Sequence, residues 1–233
     1  MNTVSRFKST LVVLLALAFA SAMCVALVVA RVGYTGELTH IFLTWNLFLA
    51  WIPFICALAA RGWYERESRF GALMIVPCAA VWLIFFPNAL YLVTDLIHLQ
   101  PSGETLVWYD LVLLQSFALT GLLLGLVSLY LMQDMVSRSF GPAAGWLFVF
   151  VALGLGGFGV YLGRFQHWNS WDILYNPANL LADVWARIRH PFQYRRTVAL
   201  SGLFSLFTIS AYLILFAFTR FQQSLQPHDM GRR

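Results

Sequence analysis

Four side chains that can bind ligands or carry protons recur at helical spacing between residues 86 and 98. They are three, four and three residues apart, which places them on one face of a helix: Asn88, Tyr91, Asp95 and His98. A carboxylate and an imidazole one turn apart can act as general acid and base, so Asp95 and His98 are candidate catalytic groups. An amide and a phenol can hydrogen-bond a ligand, so Asn88 and Tyr91 are candidate substrate-binding groups.

More polar residues gather near the ends of later apolar runs. Asp110 is a third candidate for proton transfer. The further candidates for substrate binding are Tyr109, Arg164, Asn169, Trp171 and Asp172. An even number of predicted membrane crossings separates these stretches, so we expect them to share one membrane face whichever way the chain is inserted.

Three interpretations of this collection are open. In the structural one, Arg164 neutralises Asp95 or Asp110, and the Trp and Tyr residues form an interfacial belt. In the second, the residues form an acid–base or substrate-binding site at the outer leaflet, where Arg164 holds an anionic group. In the third, Asp95, His98, Asp110 and His167 bind a metal ion, but Asp-x-x-His is a short and common pattern. We therefore assign no metal and no other cofactor.

The composition limits the class of protein that can carry such a site. Of the 233 residues, 60% are hydrophobic and only 11% are charged, against about 45–50% and about 25% in soluble domains. A soluble globule of this size could not bury so much apolar surface. The net charge of +5 comes from arginines at the ends of apolar runs, a pattern that favours membrane insertion over nucleic-acid binding. The composition thus predicts one all-α integral membrane domain over residues 1–233.

Six apolar runs are long enough to cross a bilayer about 30 Å thick. They cover residues 10–30, 39–60, 71–93, 106–132, 142–162 and 197–219. The first run is too long for a cleaved signal sequence, so we interpret it as an anchor that is retained. The distribution of Lys and Arg around the early spans predicts that both termini are cytoplasmic. Pro87 should kink or break the third span and move Phe86 out of the helical region.

The connection at 163–196 conflicts with this topology, because it is rich in arginine yet falls outside. A polar seventh crossing is the rival, but each charge in mid-bilayer costs about 2.5–3.5 kcal/mol. We instead expect an interfacial amphipathic helix over 177–190, capped by Asn176 and starting at Pro177. Its apolar face is Leu180, Leu181, Val184, Trp185 and Ile188, and its wet face is Asn179, Asp183 and Arg187.

Small residues indicate close helix packing in two spans. Gly121 and Gly125 form a GxxxG pair, and the fifth span carries five glycines between 154 and 163. These residues predict a tight antiparallel hairpin of spans four and five, and they could also support a homo-oligomer or a membrane partner. The GxGxxG at 154–159 lies inside an apolar span, so it does not indicate a dinucleotide site.

Four segments resemble a bacterial family of multi-pass membrane proteins, domain of unknown function 1361. They are WNLFLAWIPF (45–54), FFPNALYLVTDLIHL (85–99), VWYDLVLLQSFALTGLLLGLVSLYLM (107–132) and GVYLGRFQHWNSWDIL (159–174). The resemblance extends over roughly residues 40–215. It implies a bacterial cytoplasmic (inner) membrane and a multi-span fold, and no established activity. Leu90 departs from the family pattern, which has proline there, so we expect this chain to lack a more rigid break at that position.

The residues and the resemblance together predict a six-span membrane protein with a polar site at its extracytoplasmic interface. Such a site could bind or modify a lipid-like or envelope substrate, with membrane lipid as the partner. Two alternatives stay open at this point: a transporter or proton-coupled carrier, and a non-catalytic assembly or scaffold subunit.

Overall fold

The computed structural model describes residues 3–99 and 104–225, and this part of the chain is helical without strands. A 3₁₀ segment, Leu92–His98, continues the third helix. The α-helices are α1 (Thr3–Thr35), α2 (Phe42–Tyr64), α3 (Arg69–Tyr91), α4 (Glu104–Phe140), α5 (Pro142–Gln166), α6 (Asp172–Tyr175), α7 (Pro177–Arg189) and α8 (Arg195–Leu225).

Six of these helices are long and apolar enough to span a membrane, which confirms the number of predicted spans among the described residues. The candidate spans are Thr10–Thr35, Phe42–Tyr64, Arg69–His98, Leu106–Phe140, Pro142–Gln166 and Arg195–Gln222. The third and fourth run several residues beyond their predicted ends. The all-α membrane fold is therefore as expected.

Helix α4 lies at the centre of the bundle. Its apolar side chains Leu113, Leu114 and Phe117 are fully buried, and α4 contacts α1, α2, α3, α5 and α8. By contrast, α1 and α8 expose most of their apolar surface. This exposed surface is what a lipid-facing helix presents, since the bilayer takes the place of a protein neighbour.

Of the two alternatives predicted at Pro87, a kink or a break, the break is wrong, and so is the displacement of Phe86 from the helix. Helix α3 runs through Pro87 to Tyr91, with Phe86 inside it, and changes to 3₁₀ geometry only at Leu92. Side chains supply hydrogen bonds to the backbone around the proline: Asn88 donates to the carbonyl of Phe85 at 3.2 Å, and Ser170 donates to that of Ile84 at 3.0 Å. Such bonds stabilise a proline inside a membrane helix.

The glycines confirm close packing but not the partners expected for them. Helices α4 and α5 do contact each other across a short turn. However, a Cβ atom on Gly121 would lie 2.8 Å from the carbonyl oxygen of Ala89, and one on Gly159 would lie 2.6 Å from Pro87 Cγ. Glycines from both α4 and α5 thus pack closely against residues 86–92, at the end of α3 and the start of the 3₁₀ segment. The reason is that α3 lies against both helices and presents bulky side chains to them.

Helix α7 begins at Pro177 as predicted, but the predicted cap is wrong, because Asn176 makes no side-chain cap hydrogen bond. On the predicted polar face, Asn179 is exposed and Asp183 is partly exposed, whereas Arg187 is buried and pairs with Asp183. The apolar residues Leu181, Trp185 and Ile188 are exposed on the surface of the protein. A membrane helix of this kind faces lipid with its apolar side and needs protein partners for its charges.

Candidate functional site

A buried ion pair joins the end of α3 to the end of α5. Asp95 is 1% exposed, and its carboxylate accepts a short hydrogen bond from Arg164 and another from the Asn46 amide at 3.0 Å. Arg164 also donates to Thr94 Oγ1 at 2.8 Å, and its Nη1 lies 3.1 Å from His98 Nε2. Both lone-pair regions of the carboxylate are therefore engaged by donors, which a buried charge requires.

A second buried ion pair joins α1 to α4. Arg31 Nε donates to Asp110 Oδ1 at 2.7 Å and Nη2 donates to Oδ2 at 3.2 Å, a two-bond arrangement that orients the carboxylate. The adjacent Tyr109 donates its hydroxyl to the carbonyl of Leu27 at 2.7 Å. Asp110 and Tyr109 thus fasten α1 to the bundle.

His40 lies near the Arg31–Asp110 pair and near His98, in the connection between α1 and α2. It is 6% exposed and close enough to Asp110, Arg31 and His98 for their charges to act on it. Burial lowers the pKa of its imidazole below the usual value, and Arg31 and His98 act in the same direction while Asp110 opposes them. His40 is therefore held neutral at physiological pH.

The residues 167–171 fold back over the bundle after α5 ends. His167 takes the left-handed conformation, with φ of 59°, which reverses the chain and lets the Trp168 N–H bond the carbonyl of Leu162. Asp172 accepts from the backbone N–H of Asn169 at 2.6 Å. Ser170 then accepts from the Asn88 amide at 2.7 Å, so this loop is joined to α3.

A cavity of about 400 Å³ lies between α2, α3, α5 and this loop. We call it the α2–α3–α5 cavity. Its apolar side includes Leu83 and Leu155, which are exposed on the flank of the bundle. Its polar and aromatic side comprises Trp45, Asn46, Asn88, Tyr91, Trp168, Asn169, Ser170 and Trp171. The volume is within the range of small-molecule sites, about 300–1,000 Å³.

The structure divides the predicted site residues into three groups. Four of the binding candidates line the cavity: Asn88, Tyr91, Asn169 and Trp171. Asp95, His98 and Arg164 form a polar group directly behind the lining, where the Arg164 guanidinium lies 4.4 Å from the Tyr91 ring centre. Tyr109 and Asp110 belong to the separate pair with α1, and Asp172 caps the loop.

The metal interpretation finds no support in the residues that the structure describes. No group of three or more His, Cys, Asp or Glu side chains there is placed to hold a metal ion. Asp95 and Asp110 are each committed to a different arginine, and His167 is exposed at the end of α5.

Sequence reasoning missed several contributors to this region. Arg31 was used only as one of the charges that predict membrane orientation. Its position at the end of a span, at the same membrane face as Asp110, could have suggested that the two residues pair. Asn46 is a single amide in an apolar run. Such a residue indicates a polar contact inside the bundle, because its amide needs a hydrogen-bond partner within the membrane. Nothing in the spacing of Ser170 or Trp168 indicated that the loop folds back onto α3.

The fold and the site define a class: a polytopic integral membrane protein whose described residues form six candidate spans and carry the Arg31–Asp110 and Arg164–Asp95 ion pairs at one end. Residues 45–216 match the family described as Protein of unknown function (DUF1361). This match covers most of the chain, so the protein belongs to that family. No curated protein and no solved structure matches the chain.

Proposed function

We propose that this protein binds an amphipathic, lipid-like molecule in the α2–α3–α5 cavity. The observation that carries the proposal is the two-sided lining of a space of about 400 Å³: leucines on the flank of the bundle, and amides with tryptophans at the loop. The apolar tail of such a molecule would contact the leucines, and its polar head would contact the amides and tryptophans. It could enter sideways from the bilayer, because Leu83 and Leu155 are exposed there.

The geometry favours binding over acid–base chemistry. Asp95 is 1% exposed, lies outside the cavity lining and already holds Arg164 and Asn46. Asp110 is equally buried and holds Arg31. Both carboxylates therefore already have donors on their oxygens and are hardly exposed, so neither is placed to reach a molecule in the cavity. Asp95 therefore acts as a positioning residue that orients the Asn46 amide toward the cavity.

A photoreactive lipid with a diazirine on its acyl chain tests the proposal. The purified full-length protein in nanodiscs should be labelled on peptides from α3 and α5 around Leu83 and Leu155. Leu155→Trp should fill the cavity and reduce this labelling several-fold. The matched control is Leu147→Trp on the same helix, because Leu147 is 66% exposed and does not line the cavity.

Two outcomes would count against cavity binding. One is equal labelling of the Leu155→Trp and Leu147→Trp proteins. The other is adducts spread evenly over α1 and α8, which is the pattern of ordinary annular lipid. Both variants must elute as the wild type does in size-exclusion chromatography, so that a loss of labelling reports the cavity and not misfolding.

We further propose that the cavity faces the extracytoplasmic side, with both termini in the cytoplasm. This orientation is supported by the arginines of the early connections. Single cysteines in a chain without its three native ones provide the test: Tyr175→Cys near the cavity end and Ser139→Cys at the opposite end, both exposed. In intact cells an impermeant maleimide should label only the first; labelling of only the second would reverse the topology.

A further inference from the structure

We infer that the head group bound in the α2–α3–α5 cavity is neutral and rich in hydroxyl groups, as a sugar is. This inference rests on the proposed function and specifies the class of lipid. It depends on three features of the lining: its charge, the direction of its hydrogen bonds and its aromatic side chains.

The lining contains no charged side chain among the residues that the structure describes. The charges immediately behind it compensate each other, because Arg164 pairs with Asp95, and Asp183 pairs with Arg187. The remaining neighbour, Asp172 beside Asn169, is negative. An anionic head group would therefore lose its hydration and gain no cation, which is unfavourable.

Two of the three amides of the lining, those of Asn46 and Asn88, turn their nitrogens to the protein. Asn46 donates one N–H to the carboxylate of Asp95. Asn88 donates one N–H to the Phe85 carbonyl and the other to Ser170. The chemistry of these partners fixes both amides with the nitrogen turned to the protein, so their oxygens are left for a ligand. A hydroxyl can donate to these oxygens, whereas an ionised phosphate has no proton to donate.

The aromatic side chains of the lining suit the carbon face of a sugar ring. Trp45 and Trp171 lie with ring centres 6.5 Å apart at the mouth, and Trp45 is 54% exposed. A cation could also favour such rings. However, the Arg164 guanidinium already occupies one face of the Tyr91 ring, 4.4 Å from its centre, so a ligand cation would have to compete with it for that ring. A neutral hydroxyl-bearing group fits all three features.

Competition between head groups tests the inference. The photoreactive lipid is bound to the full-length protein, and three competitors with identical acyl chains are titrated: monoglucosyl diacylglycerol, phosphatidylcholine and phosphatidic acid. One or two extra hydrogen bonds predict that the glucosyl lipid displaces the probe at about fivefold to tenfold lower concentration than the others. Equal competition, or stronger competition by either phospholipid, would overturn the inference.

A tryptophan variant separates recognition of the head from that of the tail. Trp45→Leu should remove most of the preference for the glucosyl lipid, measured as the ratio of the concentrations at which the glucosyl lipid and phosphatidylcholine, with identical acyl chains, displace the probe. Trp108→Leu is the matched control, since Trp108 is 64% exposed in α4 and does not line the cavity. An unchanged preference in Trp45→Leu contradicts the proposed stacking.

The two proposals fail in different ways. If labelling does not respond to Leu155→Trp, the cavity binds no lipid and both proposals fall. If labelling responds to Leu155→Trp but phosphatidic acid or phosphatidylcholine competes best, lipid binding stands and only the neutral head group is refuted.

Discussion

The Asp95–Arg164 ion pair should be among the most costly contacts to break, and Arg164→Gln tests this directly. The carboxylate of Asp95 is 1% exposed and Arg164 is 15% exposed, so removing the guanidinium leaves a charge in a nearly dry environment. The amide of Asn46 stays as a donor, and His98 Nε2 lies 4.0 Å away. Breaking a buried pair in this way costs about 3–5 kcal/mol of unfolding free energy.

A double-mutant cycle distinguishes the lost pair from a general loss of packing. Asp95→Asn removes the charge that Arg164→Gln leaves behind, so the double variant should recover part of the stability lost in Arg164→Gln. The matched control is Arg138→Gln at the opposite end, where Arg138 and Asp134 are 46% and 31% exposed. That exposed pair should contribute only about 0.3–0.5 kcal/mol.

The assay is reversible unfolding in mixed micelles with increasing denaturing detergent, followed by circular dichroism. A loss below about 1 kcal/mol in Arg164→Gln, comparable with that of an exposed pair, would refute the claim that Asp95 needs its arginine. So would a double variant that is no more stable than the single variant. Either result would mean that water reaches the carboxylate.

Three further predictions concern packing, pH and a buried hydrogen bond. Gly159→Ala should destabilise the bundle by about 1–3 kcal/mol, because its Cβ would lie 2.6 Å from Pro87. Gly154→Ala is the control: its Cβ would face open space, so this variant should not destabilise the bundle. Thermal unfolding of the two variants compares their stabilities. The free energy of unfolding should fall as the pH drops below about 6.5. The pKa of His40 is lower in the folded chain than in the unfolded chain, so the unfolded chain binds a proton at a pH where the folded chain does not. His40→Gln should remove this pH dependence in the same assay. Tyr212→Phe leaves the buried Gln133 without its hydroxyl donor and should lower the free energy of unfolding by about 1–3 kcal/mol. Adding Gln133→Leu should restore part of this stability. Additive effects of the two substitutions would contradict the prediction.

The sequence was sufficient to predict the number of spans and the end of the bundle where polar residues meet. Hydropathy determines the spans, because each must cross the same apolar thickness. The helical spacing of Asn88 and Tyr91 was also informative, since both side chains line the cavity. These features depend on local periodicity, which a single sequence shows directly.

The partners of each polar residue could not be predicted in the same way. Asp110 could have paired with Arg164 by topology alone, but it pairs with Arg31, because α1 packs on α4. Arg187 of α7 was expected on the polar, exposed face but is buried, where it pairs with Asp183. Both outcomes depend on which helices are neighbours, and hydropathy does not contain that information.

The long separation of the two ion pairs along the chain has a consequence for biosynthesis. Arg31 is made 79 residues before Asp110, and Asp95 is made 69 residues before Arg164. At about 5–20 residues per second, each waits several seconds for its partner. The long stem of Arg31 can reach toward the membrane surface meanwhile, but the short side chain of Asp95 has no such reach. A nascent chain that stalls before Arg164 therefore holds a carboxylate without its arginine, and α5 is the segment whose arrival completes this ion pair.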